Sequence, residues 1–162
     1  MPKQNALAEW NRIPSRIQAA IRGLDAKGLD RAGGDERWSI RETVHHLVEA
    51  NLIASNMIIA ALGVDGYEFD WTWVNPDKAW MRRLGYTTSD VKPALAVLRS
   101  LCAHLSALLE SRPNALSRTV SLNDSPGAPR YTKSVAEILE EQIEHAADHL
   151  QQIRDTRRRH CL

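Results

Sequence analysis

The sequence predicts an all-α chain folded as a four-helix bundle with long connections. Two observations carry that prediction: apolar residues recur at steps of three and four through four separate segments, and two Ser-x-x-Glu capping boxes open two of them. A third observation is negative, because no segment sustains the period-two alternation of a half-buried strand.

The first segment runs from about Trp10 to Leu24, with Trp10, Ile13, Ile17, Ile21 and Leu24 on one stripe; Pro14 suits a first turn or a kink. After the glycine-rich, charged stretch DAKGLDRAGGDER, the second segment reads WSIRETVHHLVEANLIASNMIIAALG. Here Ser39 and Glu42 can each satisfy the other's free amide, and Gly63 supplies the stop. The third carries Val91, Leu95, Leu98, Leu101, Cys102, Leu105, Leu108 and Leu109, the clearest amphipathic stripe in the chain. The last opens on the Ser134–Glu137 box and continues through Val135, Ile138, Leu139, His145, Ala146, His149, Leu150 and Ile153. Before it, SRTVSLNDSPGAPRYTKS holds one short Thr119–Leu122 run among Gly127 and two prolines, and is expected to be a crossing loop. Helices of this number and length fit a bundle whose facing side chains can host a metal or ligand.

At 162 residues and 43% hydrophobic composition, a single domain over 1–162 with a sizeable core is expected. Lys plus Arg number 21 against 20 for Asp plus Glu, so no overall field draws the chain to nucleic acid or an anionic membrane. The amino-terminal MPKQNALAEWNRIPSR lacks the apolar run of a signal peptide, and nowhere are the roughly 18–20 apolar residues of a spanning helix expected, so a cytoplasmic protein without a membrane partner is expected. Cys102 and Cys161 are too few for a disulfide framework or a Cys-based zinc site, so any metal must be held by nitrogen and oxygen.

In IEHAADHLQQI, His145 and His149 stand one helical turn apart. Helical phasing puts Ile138, Gln142, His145, His149 and Ile153 on one arc and Glu137, Glu140, Glu144, Asp148 and Gln151 opposite, so both histidines face inward. On the second helix His46 aligns with Ala50, Ile53 and Met57, whereas His45 aligns with Glu49, Leu52 and Asn56 on a more polar edge. A single inward histidine is ordinarily bonded to a carbonyl or carboxylate, and two at i and i+4 can also point at one ion; both readings stand on spacing alone. The zinc-protease pattern is excluded because Ala146, not Glu, follows His145. The di-iron Glu-x-x-His pattern is excluded because Thr43, Gln142 and Ala146 stand three residues before His46, His145 and His149.

WSIRETVHHLVEAN followed about a hundred residues later by HAADHLQQI resembles the DinB/YfiT-like family of metal-dependent enzymes, over about Trp38 to Arg154. The resemblance implies a four-helix bundle with an altered connection order, often a homodimer. It implies a divalent ion, zinc or nickel, with His46 as first ligand and His145 and His149 as the pair. It also implies activation of a low-molecular-weight thiol or water for S-transfer or hydrolysis of a small-molecule substrate. A metal-stabilised binding bundle without catalysis is the alternative.

Six of the nine aromatics, Tyr67, Phe69, Trp71, Trp73, Trp80 and Tyr86, fall in the connection 67–86, which can form a pocket wall, pack over the bundle end or meet a second subunit. Asp70, Asn75 and Asp77 there can orient a ligand or form turns and caps. Glu49 is the candidate to orient a ligand histidine, and core or boundary packing is expected for His104 and Cys102. The RDTRRRH run reads as a solvated helix end complementing the helix dipole.

Overall fold

Side-chain caps fix where most helices start. The computed structural model describes residues 3–162, so the first two residues of the expected 1–162 domain lie outside the described residues. Helix α1 spans Lys3–Ala20, the short α2 Ala26–Leu29 behind Asp25, and α3 Ile40–Gly63 behind the complete Ser39/Glu42 capping box. Strand β1 is Tyr67–Glu68, α4 Lys78–Arg83 behind Asp77, and α5 Val91–Glu110 behind Asp90. A 3-10 turn at Ala115–Ser117 leads into β2 (Thr119–Leu122) and β3 (Tyr131–Ser134). Helix α6, Val135–Arg159, follows at once, opened by the Ser134/Glu137 box.

Three boundaries depart from the sequence reading. The first helix starts well before Trp10, because Ala6 and Leu7 are buried and extend its stripe one turn upstream, which leaves Pro14 inside the helix rather than in its first turn. It ends at Ala20; Ile21 and Leu24 lie in the following turn, which Gly23 closes at φ +80. The expected crossing loop instead contains a hairpin, with Thr119 opposite Ser134 and Leu122 opposite Tyr131, and β1 pairs parallel to β2 on its other side. Val120 and Leu122 are buried while Thr119 and Ser121 are half-buried, so β2 does alternate. Four residues were too short a run for that pattern to be read, and the partner strand YTKS has no apolar periodicity.

The long helices pack in the cyclic order α1, α6, α3, α5: each of α1 and α3 contacts both α5 and α6. Consecutive helices α1 and α3 are therefore diagonal, as are α5 and α6, and connections that cross a bundle end must be long. One core runs through all four, from Trp10 and Ile17 through Leu47 and Ile58 to Leu98, Leu105, Leu139 and Ile153, with Val120 and Leu122 closing one side. By length and average apolarity α3 and α5 are both long and apolar enough to cross a membrane, contrary to the expectation from the sequence. In α3, 56% of the most apolar stretch is buried inside the bundle, so its apolarity serves the core.

The two diagonal helices α1 and α3 meet through the middle of that core. Trp10 Nε1 donates to Asn51 Oδ1 at 2.7 Å, and both residues are fully buried. Asn51 Nδ2 in turn donates to the Leu47 carbonyl and Ser55 Oγ to the Asn51 carbonyl, so the polar thread is satisfied without water. Trp10→Phe keeps an aromatic ring but strands Asn51 Oδ1 and leaves the space of the lost pyrrole ring, and a loss of at least about 1–3 kcal/mol is expected in urea unfolding. An unchanged urea midpoint would show that the diagonal tie is energetically idle.

Candidate metal centre

Two capping boxes set the phase of the two helices that carry the site. Ser39 accepts from Glu42 N and Glu42 Oε2 accepts from Ser39 N, fixing α3 so that His46, two turns on, faces α6. Ser134 and Glu137 make the same pair of bonds at the head of α6, and the hairpin feeding Ser134 holds that start against the bundle. From there His145 and His149 reach the α3 side one turn apart.

The three histidines anticipated from sequence meet at their Nε2 atoms. His46 Nε2 lies 3.1 Å from His145 Nε2, and His149 Nε2 lies 3.0 Å from His145 Nε2. The candidate ligand atoms of all three are within 4.8 Å of one another. The rings stand edge to face, at 84°, 75° and 86° to each other, so each directs a nitrogen rather than a ring face at the common point.

The chemistry of this donor set fits a cation. One imidazole nitrogen holds either one proton or one lone pair, so His145 Nε2 cannot make two well-directed hydrogen bonds to its neighbours. Three lone pairs around one ion resolve the conflict, and ligand distances of about 2.0–2.1 Å in a tetrahedron put neighbouring nitrogens roughly 3.3 Å apart. His149 is already in the needed tautomer, since its Nδ1–H donates to Gln152 Oε1 at 3.0 Å and leaves Nε2 bare. The Nδ1 atoms of His46 and His145 are buried with no partner among the described residues.

Trp38, the residue before the α3 cap, packs on two of the rings, 4.5 Å from His46 and 5.7 Å from His149 between centroids. Burial pushes the pKa of His46 down to about 3 and that of His145 to about 4, with further lowering from their histidine neighbours. Burial also lowers His149, partly opposed by its Gln152 bond and by Asp148. All three are therefore neutral near pH 7, the form a metal ligand requires.

Other expectations are corrected. His45 does not sit on a polar edge: it is buried, stacked on Tyr86 at 4.7 Å, with Nε2 3.2 Å from the Ser89 carbonyl. Residues 84–90 fold over that face, which helical phase on a single helix could not reveal. Glu49 contacts none of the ligand histidines by hydrogen bond; its Oε1 accepts from Trp80 Nε1 at 2.9 Å. The orienting residue is Gln152, which the sequence reading did not single out although it stands three residues after His149 and seven after His145, at the edge of the inward arc. His104 is exposed rather than packed, whereas Cys102 is buried and its thiol is pushed up to about 12, far from nucleophilic. Asp70 bonds Thr72 within a turn and Asp77 caps α4, the structural roles considered for them. In the terminal basic run Arg157 donates across to the Ala20 and Arg22 carbonyls, so it caps the end of α1 as well as standing in the last turn of its own helix.

The triad stands between two hollows. A cavity of about 560 Å³ reaches His46 and His145 and is walled by Trp71 from the aromatic connection. A cleft of about 590 Å³ on the other side reaches His149, with Trp38, Arg37, Gln152 and Arg159 around it. The aromatic connection thus divides its work: Trp71 lines the cavity, Trp80 holds Glu49, Tyr86 covers His45, and Tyr67 and Trp73 are exposed.

Comparison with known proteins matches residues 8–153 to the model of the DinB superfamily. A Geobacillus kaustophilus protein named as a candidate metal-dependent hydrolase is 26% identical over 160 residues, covering 96% of this chain and 84% of that protein. Bacillus subtilis YfiT, named likewise, is 26% identical over 105 residues, 61% of this chain and 54% of YfiT. The solved structure of YfiT, described as a four-helix bundle of unusual topology, superposes with a TM-score of 0.85 at 20% identity, covering 98% of this chain and 89% of YfiT.

The neutral histidines make the metal-free protein acid-sensitive. In the unfolded chain each ring protonates near 6.5, whereas in the folded chain His46 does so only near 3 and His145 near 4. Between those values the unfolded state binds more protons, so this contribution is fully present above about pH 6.5 and is lost as pH falls toward about 4. Urea midpoints of metal-free protein are expected to drop steadily from about pH 7.5 to about pH 5.5, a window above ordinary carboxylate titration, and less steeply in His46→Gln. A flat profile would mean that the imidazoles are already hydrated in the folded protein.

Proposed function

Since this chain belongs to the DinB superfamily, we propose that it is a metal-dependent hydrolase, in which His46, His145 and His149 hold one divalent ion, zinc or nickel. The observation that carries this reading is the convergence of three neutral imidazoles, two buried and one half-buried, with Nε2 contacts of 3.0 and 3.1 Å. The names of the relatives support the reaction class. With it we propose a small-molecule substrate, a cytoplasmic compartment and, as the family resemblance implies, a homodimer.

An ion held there supplies Lewis-acid chemistry, acidifying a coordinated water toward a pKa of roughly 7 and ionising a coordinated thiol outright. The chain's own residues do the rest. Three neutral ligands leave the site positively charged, which favours an anionic nucleophile or a developing oxyanion and disfavours a cationic substrate group beside the triad. Gln152 keeps His149 in its ligand tautomer, and Trp38 packs on the His46 and His149 rings. The apolar wall of the cavity, including Ile53, Met57 and Leu122, limits water around the reacting group. A low-molecular-weight thiol in place of water would make the same site an S-transferase, a second reading favoured by the affinity of an undiluted dication for thiolate.

Protein prepared without a histidine tag is expected to contain close to one metal per chain by mass spectrometry. His46→Ala and His149→Ala are expected to lose it, and His45→Ala to keep it while losing about 1–3 kcal/mol of stability with the Ser89 bond. Metal-free wild type after reconstitution with zinc or nickel would end this reading. Turnover of esters or amides without added thiol supports hydrolysis; turnover only with thiol plus an electrophile supports transfer; silence in both supports a metal-stabilised binding bundle.

Gln152→Leu removes only the partner of His149 Nδ1. Chelator competition is expected to show about 10–100-fold weaker metal binding with the fold intact. An unchanged affinity would assign Gln152 to surface packing.

A further inference from the structure

Three residues that line the cavity beside His46 and His145 carry polar side-chain atoms that nothing among the described residues satisfies. They are Trp71 Nε1 from the aromatic connection, Glu49 Oε2 from α3 and Gln142 Oε1 from α6, all buried. Buried polar atoms without partners are rare in folded chains, and three lining one hollow mark a place where a partner belongs.

Their chemistry narrows that partner. An indole N–H can only donate and a carboxamide oxygen can only accept, so the ligand must offer at least one acceptor and one donor. Glu49 Oε2 adds a second acceptor when ionised, while Oε1 stays occupied by Trp80. The ligand group is uncharged. Beside Trp71, Glu49 and Gln142 no unpaired cation awaits an anion, since the one lysine lining the cavity, Lys133, is paired with Glu141 at 2.6 Å, and an anionic group would be drawn to an ion at the triad rather than to these atoms. Burial also raises the pKa of Glu49, which weakens its hold on a cation. Around these atoms the wall is aliphatic, with Ile53, Met57 and Ile138 among its residues, and the volume of about 560 Å³ suits a small organic molecule.

We propose that this cavity is a recognition subsite for a small molecule bearing an uncharged carboxamide on an apolar body. The carbonyl oxygen accepts from Trp71 Nε1, the amide N–H donates to Gln142 Oε1 or Glu49 Oε2, and the apolar body lies against the aliphatic wall. As the substrate pocket of the hydrolase proposed above, the subsite rests on that reading; as a binding site, it stands on the unpartnered atoms alone.

The test uses wild-type protein labelled with 15N-tryptophan, with N-benzylacetamide as probe and benzyl acetate, the ester of the same shape without the N–H, as comparison. The indole N–H signal of Trp71 is assigned by its disappearance in Trp71→Phe. N-benzylacetamide is expected to shift that signal saturably and to bind about five- to ten-fold tighter than the ester, the difference of one hydrogen bond. Gln142→Leu is expected to erase most of that preference while leaving ester binding unchanged. Equal binding of amide and ester, saturation without movement of the Trp71 signal, or no binding up to the solubility limit would each overturn the proposal. His149→Ala, whose histidine does not line this cavity, is run in parallel: retained amide binding without metal keeps the subsite, and lost metal separates that result from the fate of the metal centre.

Discussion

Everything in this protein that bears on chemistry depends on the packing of α3 against α6. These helices are neither consecutive nor joined by a short loop, yet they are the pair whose facing surfaces supply His46, His145 and His149. Their contact requires α5 to give way diagonally, so that the chain crosses the bundle end before α6 begins. The small sheet makes that crossing rigid: β2 lies on α3 through Val120 and Leu122, and β3 hands the chain to Ser134. A one-residue slip in the hairpin would rotate the start of α6 by about 100° and carry both histidines off the α3 side.

The triad is an expensive arrangement for the folded protein alone. Three imidazoles crowd into a desolvated space where none can be charged, and two of their Nδ1 atoms have no partner among the described residues. Local rules are broken here and in the adjoining cavity wall, at Glu49, Trp71 and Gln142, and kept at both capped helix starts and along the Trp10–Asn51–Ser55 thread. Such concentrated conflict is characteristic of a site shaped for something other than stability.

The surroundings of the triad are asymmetric. Toward His46 and His145 the walls are aliphatic and aromatic, supplied by α3, α6, the hairpin and the connection 67–86. Toward His149 the cleft carries Arg37, Gln152 and Arg159 and is bounded by the loop before α3. One side is apolar and the other holds His149 through Gln152, so a small molecule in the cavity and the support of His149 need not compete for the same space.

Four helices, both capping boxes and all three candidate ligands were legible from the chain, because helix periodicity and caps are local properties encoded within a turn or two. The resemblance carried by WSIRETVHH and HAADHLQQI named the family that comparison then matched over residues 8–153. Tertiary structure alone decided the rest. That α3 neighbours α6, that residues 84–90 bury His45, and that Glu49 turns to Trp80 rather than to a histidine are all contacts between segments far apart in the chain. A sequence records which face a residue occupies on its own helix. What that face meets is set only when the connections close.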